Sequence, residues 1–212
     1  MARMTKVNAV SPELAPRSLI LQSPAYARVQ LRGLRFPFPV VAEVIKGDCE
    51  LIVPGQMRAS HDGVWHTIRP LESPRLVLAE RARVAFRQLP LSGRQAEAGE
   101  RRHKPIASTL ALAVFQSPQR PWRLASASQE LSMDRPGRLS RSLMSEGESF
   151  VDLVATQRLM RALFDLAGAG SQSRLTECYG FPDRAHLEDA IYDRFGVNAA
   201  LLHRLLDSRW QS

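Results

Sequence analysis

The chain has 212 residues, enough for one large domain or two small ones, and its 44% hydrophobic content is that of a protein with a buried core. The 29 Lys and Arg residues outnumber the 21 Asp and Glu residues, which gives a net charge of +8. This charge favours polyanionic partners, either nucleic acid or an acidic membrane surface. With 24% charged residues, the composition excludes a wholly disordered chain.

Signals for a membrane or for secretion are not found in the sequence. No run of eighteen apolar residues could form a membrane-spanning helix. Arg3 and Lys6 are not followed by the apolar stretch of a signal peptide. Cys49 and Cys178 lie far apart and are expected to be reduced thiols. We therefore expect a soluble protein of the cytoplasm.

The first part of the chain has the pattern of a β-rich domain. Short runs rich in Val, Ile and Leu, separated by Pro, Gly and Asp, predict strands of a sandwich or barrel. These runs are Leu19–Leu21, Arg28–Leu31, Val40–Ile45, Leu51–Val53 and Leu76–Ala79. Gly47-Asp48 predicts a hairpin turn, and Pro54-Gly55 and Asp62-Gly63 predict further turns. We assign this domain to residues 1–89.

The second part has helical periodicity. A polar segment without apolar period precedes a predicted helix at Ile106–Phe115, so residues 90–120 are interpreted as a linker and connecting helix. Apolar residues at three- and four-residue steps predict a long amphipathic helix over Phe150–Leu166, ended by Gly168 and Gly170. We assign residues 121–212 to an all-α domain, because a β-type half followed by an α-type half suggests two domains.

The α domain contains one pattern twice. The apolar step from Ala127 to Leu139 is twelve residues long, as is the step from Leu175 to Leu187. Two short helices joined by a tight turn at this spacing form a helix-turn-helix. Asp134 is predicted to cap the second helix of the first copy, with Pro136 in its first turn. Asp183 is predicted to do the same capping in the second copy.

The second helix of such a unit enters the major groove of double-stranded DNA. Arginines there can bind phosphates or the O6 and N7 atoms of guanine. The candidate DNA-binding residues are Arg135, Arg138, Ser140 and Arg141 in the first copy, and Arg184, His186 and Arg194 in the second. Helical hairpins with a solvated arginine face are also common in α proteins, but two in tandem, separated by a long helix, favour DNA binding.

Several spaced motifs carry a resemblance to a known family. In order they are Leu139-Ser140-Arg141, Gly147-Glu148-Ser149-Phe150, Arg158 with Arg161-Ala162-Leu163, Gly180-Phe181-Pro182-Asp183, Leu187 and Phe195-Gly196-Val197. From about Trp122 to Leu202 the chain resembles the AraC-type family of bacterial transcription regulators. The resemblance implies two helix-turn-helix units in successive major grooves, joined by a long linker helix. It also implies transcription regulation, with activation expected and RNA polymerase as a partner.

For the β domain, the resemblance implies a cupin-like barrel that binds a small-molecule effector or a regulatory protein, or forms a homodimer. Pro39–Gly55 resembles the hairpin region of such a barrel, and the match predicts a partial barrel. A cupin metal site needs clustered histidines and a carboxylate, and only His61 and His66 lie close together in the sequence, so no metal or other cofactor is predicted. The sequence also has no phosphate loop and no G-x-S-x-G motif, so an enzyme is not predicted.

An alternative is a degenerate family member that regulates through protein–protein contact and has little affinity for DNA. Asp189, preceded by Glu188, lies where the family usually has a basic residue, and Ala199 replaces the family's proline. Residues 1–110 hold 17 basic and 9 acidic residues, whereas residues 111–212 hold 12 of each. The predicted DNA-binding half is thus neutral overall, and a steep salt dependence of DNA binding would separate the two hypotheses.

Overall fold

The computed structural model describes residues 18–53, 56–89, 104–167 and 179–206. The strands are β1 Ser18–Gln22, β2 Val29–Leu31, β3 Val40–Lys46, β4 Cys49–Val53, β5 Gln56–Ser60, β6 Trp65–Ile68, β7 Arg75–Leu78 and β8 Arg83–Gln88. The helices are α1 Pro105–Gln116, α2 Leu124–Glu130, α3 Pro136–Ser145, α4 Phe150–Ala167, α5 Arg184–Phe195 and α6 Ala199–Leu206. The predicted order, a mainly β region followed by a helical region, is confirmed.

The strands form two antiparallel four-stranded sheets, in the orders β1-β8-β3-β6 and β2-β7-β4-β5. Each of the five predicted runs forms a strand. β5, β6 and β8 were not predicted, because polar and arginine residues interrupt their apolar character. The described residues thus form eight strands in two four-stranded sheets, the strand number of a jelly roll.

The predicted hairpin at Gly47-Asp48 is wrong. β3 pairs with β6 and β8, whereas β4 pairs with β5 and β7, so these residues carry the chain from one sheet to the other. The turn at Asp62-Gly63 is present, and it also connects strands of different sheets. Pro54-Gly55 lies outside the described residues.

The two predicted long helices are confirmed as α1 and α4, and the predicted caps are confirmed in part. Asp183 caps α5, since its carboxylate accepts a hydrogen bond of 2.9 Å from the backbone N–H of His186. Asp134 does not cap α3, because the helix begins one residue later, with Arg135 at the cap position and Pro136 as its first residue. The predicted end of α4 at Gly168 and Gly170, and the apolar position Leu175, lie outside the described residues.

The helices are divided between two hydrophobic cores. The first core joins α1, α2, α3 and the start of α4, and its buried members are Leu71, Ala107, Leu110, Ala111, Val114, Trp122, Ala127, Leu139, Leu143, Leu153 and Val154. The second core combines the inward faces of both sheets with Phe115, Leu159, Met160, Leu163, Phe164 and the buried residues of α5 and α6. We call these the α core and the shared core.

α4 belongs to both cores, and a buried polar step separates its two parts. Leu153 and Val154 pack in the α core, and Leu159 and Met160 pack in the shared core. Between them Thr156 and Gln157 are fully buried. The Gln157 side-chain N–H donates a bond of 3.1 Å to the backbone oxygen of Arg35. The β half and the end of the helical half therefore share one hydrophobic core, whereas the buried apolar residues of α2 and α3 pack in the α core.

Candidate nucleic-acid interface

The pair α2–α3 is joined by a short ordered turn. Ser132 adopts a left-handed conformation with φ of 52°, which reverses the chain direction. The buried Ser128 closes the turn, because its backbone oxygen accepts from the N–H of Met133 at 2.8 Å and its hydroxyl donates to the Met133 oxygen at 3.1 Å. The sequence pattern had indicated a turn here, but it did not identify Ser128 as the residue that holds it.

α3 turns an arginine face outward. Leu139 and Leu143 are buried, and at 3.6 residues per turn Arg141 lies on the opposite side of the helix. Arg135, Arg138 and Arg141 are all exposed, and Ser140 is half-buried at the flank of this face. The structure thus brings the four predicted residues of the first unit onto one helix and its cap.

The contacts of the α3 arginines with neighbouring groups offset their positive charge only weakly. Arg138 pairs with Asp134 at 3.6 Å, and both side chains are well exposed, at 65% and 82%. The Arg141 Nε atom donates a bond of 3.3 Å to the backbone oxygen of Gly137 in the preceding turn. α3 itself carries Arg138 and Arg141 and no acidic residue. An exposed ion pair is weak and a single hydrogen bond contributes little net free energy, so both guanidinium groups can exchange these contacts for an incoming anion.

α5 presents a different face. Leu187, Ile191 and Phe195 are buried, so the outward side of the helix carries Asp189 and Asp193. The predicted contacts Arg184 and His186 are exposed in the first turn of α5, where each has an acidic neighbour. Arg184 bonds Glu188 at 2.6 Å, and the His186 Nδ1 atom lies 2.8 Å from the carboxylate of Asp183.

The Asp183–His186 contact alters the acidity of both groups. The hydrogen bond and the negative charge of Asp183 raise the pKa of His186 above its ordinary value. The backbone and side-chain hydrogen bonds from His186 lower the pKa of Asp183. His186 therefore keeps its proton to a higher pH than an isolated histidine does, with the carboxylate of Asp183 beside it.

Arg194 lies at the other end of α5, away from Arg184 and His186. Its side chain is 24% exposed, and its guanidinium group pairs with Asp152 of α4. The structure therefore places Arg194 at the junction of α4 and α5, separate from the other predicted DNA contacts.

A charged cluster lies at this junction, and the sequence did not predict it. The Glu148 carboxylate, 4% exposed, bonds Arg35 of the β half at 2.5 Å and Lys104 at 2.6 Å. Arg35 also lies 3.7 Å from Asp152, the partner of Arg194. We call these five residues the junction cluster. Sequence reasoning missed it because Glu148 appeared only within a family motif and Arg35 lies 113 residues away.

Burial alone would raise the pKa of Glu148. The hydrogen bonds and positive charges of Arg35 and Lys104 outweigh burial, so the pKa lies below the ordinary value of 4.5. A buried carboxylate held by two cations stays ionised and joins the segments that supply them.

A small cavity lies on the β half. It measures about 260 Å³, and its lining includes Arg28, Cys49, Glu50, Ser60 and His61. Burial and the neighbouring Asp48 and Glu50 carboxylates raise the pKa of the Cys49 thiol to about 11, so Cys49 is an unreactive buried thiol. Within the described residues, no group of three or more His, Cys, Asp or Glu side chains could hold a metal ion. None of the described helices is long and apolar enough to cross a membrane.

Solved structures of ToxT share the fold of this chain. ToxT from Vibrio cholerae matches with a TM-score of 0.69 and 11% sequence identity, over 91% of this chain and 99% of that chain. ToxT of Vibrio cholerae O395 bound to (E)-4-(8-methylnaphthalen-1-yl)but-3-enoic acid matches with a TM-score of 0.67 and 11% identity over the same shares. ToxT bound to an unsaturated fatty acid matches with a TM-score of 0.60 and 11% identity, over 92% of this chain and 97% of that chain.

The chain therefore has the two-part fold of ToxT, and the resemblance predicted from the sequence is confirmed at the level of the fold. A DNA-binding transcriptional dual regulator from Escherichia coli matches 47% of this chain with a TM-score of 0.43, too low to indicate a shared fold. No protein-family model matches the sequence, and no curated protein matches it.

Proposed function

We propose that this protein is a sequence-specific DNA-binding transcription regulator of the AraC type and that it acts as an activator. One observation carries the proposal: α3 exposes Arg138 and Arg141 opposite a buried leucine face, within a chain that has the fold of ToxT. In this proposal α2–α3 and the segment ending in α5 are the two helix-turn-helix units, and α4 is the linker helix. α3 and α5 are then the recognition helices, entering successive major grooves.

Each predicted residue has a place in this proposal. Arg135, Arg138 and Arg141 bind phosphates or a guanine edge, and Ser140 contacts the backbone or a base at the flank. Arg184 and His186 approach DNA from the first turn of α5. The predicted contact at Arg194 remains a prediction, and its pairing with Asp152 supports a role in joining α4 to α5 instead.

The β half completes the proposal as a cupin-like domain that responds to an effector or a regulatory protein. Eight strands in two facing sheets support the cupin-like assignment, with more strands than the partial barrel predicted from the sequence. ToxT has been observed with bound small acids, including an unsaturated fatty acid, which supports a small-molecule effector for the present chain. Contact with RNA polymerase and formation of a homodimer belong to the same proposal.

The test is a titration of the full chain against a fluorescent DNA fragment from upstream of its own gene, with scrambled DNA as the control. We expect a preference for the native fragment and a logarithmic affinity that falls steeply with the logarithm of the salt concentration. The Arg141→Ala variant is expected to bind about 5- to 150-fold more weakly, corresponding to about 1–3 kcal/mol for one base contact. Arg75→Ala, which removes an exposed arginine of β7, is the matched control and should bind as the unaltered chain does.

A second candidate function is supported by the outward face of α5. Asp189 and Asp193 on this face would repel phosphates, and Glu188 adds a third carboxylate beside Arg184. These features favour a regulator that works through protein contact with little DNA affinity. Equal, feeble binding to native and scrambled DNA, unchanged by Arg141→Ala, would support this second function and reject the first.

A further inference from the structure

The C-terminal end of α5 is attached to the β half by a backbone contact. The N–H of Arg32, just after β2, donates a bond of 3.1 Å to the backbone oxygen of Phe195, the last residue of α5. The guanidinium group of Arg32 also reaches the backbone oxygen of Asp193 at 3.5 Å. Its side chain packs over Gly196, where an added Cβ would lie 3.2 Å from the Arg32 Nε atom.

Gly33 allows this close approach. It has a φ of 68°, and a Cβ at this position would overlap the backbone oxygen of Arg194 and lie 2.7 Å from its Cδ atom. A backbone oxygen cannot rotate away as the end of a side chain can. Any residue larger than glycine must therefore push α5 away from the β half.

The contact reinforces the division into two cores. α5 and α6 pack into the shared core, so their position follows the β sheets. α3 packs into the α core, to which the described part of the β half contributes Leu71. A displacement at Arg32–Gly33 therefore acts directly on α5, whereas α3 is tied to the β half by a separate contact, that of Arg35 with Glu148.

We propose that Arg32 and Gly33 are positioning residues that set where α5 lies relative to α3. This inference rests on the proposed function, in which the separation of the two recognition helices must match successive major grooves of DNA. Arg32 and Gly33 then govern the second DNA contact, whereas the position of the first depends on the separate contact of Arg35 with Glu148. Binding of an effector or a partner near β2 would then change the position of α5.

The substitution that tests this is Gly33→Ala in the full chain, and Gly63→Ala is its matched control. Gly63 also lies in the β half with a positive φ, of 80°, but a Cβ there meets nothing within 4 Å. Both variants impose the same left-handed strain on alanine, and only Gly33→Ala adds a collision with α5. Arg32→Ala is a milder second variant, since it removes the side chain over Gly196 and keeps the backbone bond.

Hydrogen–deuterium exchange measures, in the absence of DNA, whether the Arg32–Gly33 segment stabilises α5 without affecting α3. We expect Gly33→Ala to speed amide exchange in α5 and α6 by about tenfold or more, with α3 unchanged, and Arg32→Ala to act in the same direction by less. Gly63→Ala should leave all three helices unchanged. Equal exchange in α5 for the Gly33→Ala and Gly63→Ala chains, or an equal increase in α3 and α5, would overturn the inference. If Gly33→Ala does not fold, Arg32→Ala decides by the same criterion.

DNA footprinting then tests the consequence at a site that the unaltered chain binds. We expect two protected segments about one helical turn apart, of which Gly33→Ala weakens one and keeps the other. The overall affinity should fall about tenfold, the loss of roughly one base contact. A single protected segment for the unaltered chain, or loss of both segments in the variant, would contradict the inference. Failure of the proposed function is distinct from these outcomes, since the unaltered chain would then show no sequence preference.

Discussion

Glu148 is the residue at which three separate segments of the chain meet. Its buried carboxylate bonds Arg35 from the β half and Lys104 from the start of α1, and its backbone N–H donates a bond of 2.8 Å to Leu143 of α3. The neighbouring Glu146 accepts bonds from Ile106 and Ala107 and so satisfies the first N–H groups of α1. The loop between α3 and α4 thereby ties the first helices to the β half.

We expect Glu148→Gln to lower the free energy of unfolding by about 3 kcal/mol, because the largely buried Arg35 loses its closest charge partner. The remaining contact of Arg35 with Asp152 is longer, at 3.7 Å. The lowered pKa of Glu148 sets the pH window. The stabilisation is complete above the ordinary value of 4.5 and is lost as the pH falls through the lower pKa of the folded state. Urea unfolding of both chains across pH 3 to 7 measures the loss, and the difference between them should shrink at acid pH.

Glu43→Gln is the control for this prediction. Glu43 pairs with Arg87 at 3.1 Å, but its side chain is 40% exposed and that of Arg87 62% exposed. Exposed pairs contribute about 0–1 kcal/mol, so this change should have little effect at any pH. If Glu148→Gln lowers the free energy of unfolding by no more than Glu43→Gln does, the junction cluster does not stabilise the fold.

At the scale of elements, the two proposed recognition helices differ in the charge they present. Arg141 lies at the centre of the outward face of α3, and Asp189 and Asp193 occupy the corresponding side of α5. Phosphate contacts favour cations, so α3 is expected to supply most of the electrostatic affinity. In the proposed function, we expect α5 to contact DNA through its first turn, which carries Arg184 and a histidine of raised pKa.

Asp189→Lys is expected to strengthen DNA binding if α5 lies against DNA. The change removes a repelled carboxylate and adds a cation, and one additional phosphate contact steepens the logarithmic salt dependence by about 0.9. Fluorescence anisotropy over a salt series measures both the affinity and the slope. Asp62→Lys makes the same charge change at an exposed turn between β5 and β6 and corrects for the increase in net charge. Identical slopes for the two variants would place α5 away from DNA and favour regulation through protein contact.

At the scale of the whole molecule, the two cores predict two regions of local stability. The α core holds α1, α2 and α3 together, and the shared core unites the sheets with α5 and α6. The ring of Phe164 extends from α4 into the shared core, where it meets Phe36, Phe38 and Phe115 edge-on. The buried Thr156 and Gln157 mark the boundary along α4.

A pair of leucine substitutions tests this division. Leu143 and Leu205 are each 1% exposed, the first in the α core and the second in the shared core. Replacement of either leucine by alanine should lower the free energy of unfolding by about 2–5 kcal/mol. Amide exchange should increase in α1–α3 for Leu143→Ala, and in β1, α5 and α6 for Leu205→Ala. An identical exchange pattern in the two variants would mean that the molecule has a single cooperative core.

The sequence by itself determined the elements whose signals are local. Runs of Val, Ile and Leu predicted β1, β2, β3, β4 and β7, and three- and four-residue apolar steps predicted α1 and α4. Spaced motifs also predicted the resemblance to AraC-type regulators. The arginine spacing placed Arg138 and Arg141 on one helix without any need of the structure, because helical periodicity is a property of a short segment.

Tertiary structure alone decided how these elements pair and what they share. Gly47-Asp48 has the pattern of a hairpin turn, yet β3 and β4 lie in different sheets, because pairing is set by the partner strands β8 and β7. Arg32 and Asp193 are 161 residues apart, and Arg35 and Glu148 are 113 apart. Contacts between residues so far apart produce no periodic pattern in the sequence, because each depends on how the two halves pack in the shared core. The division of the proposed recognition helices between two cores arises for the same reason.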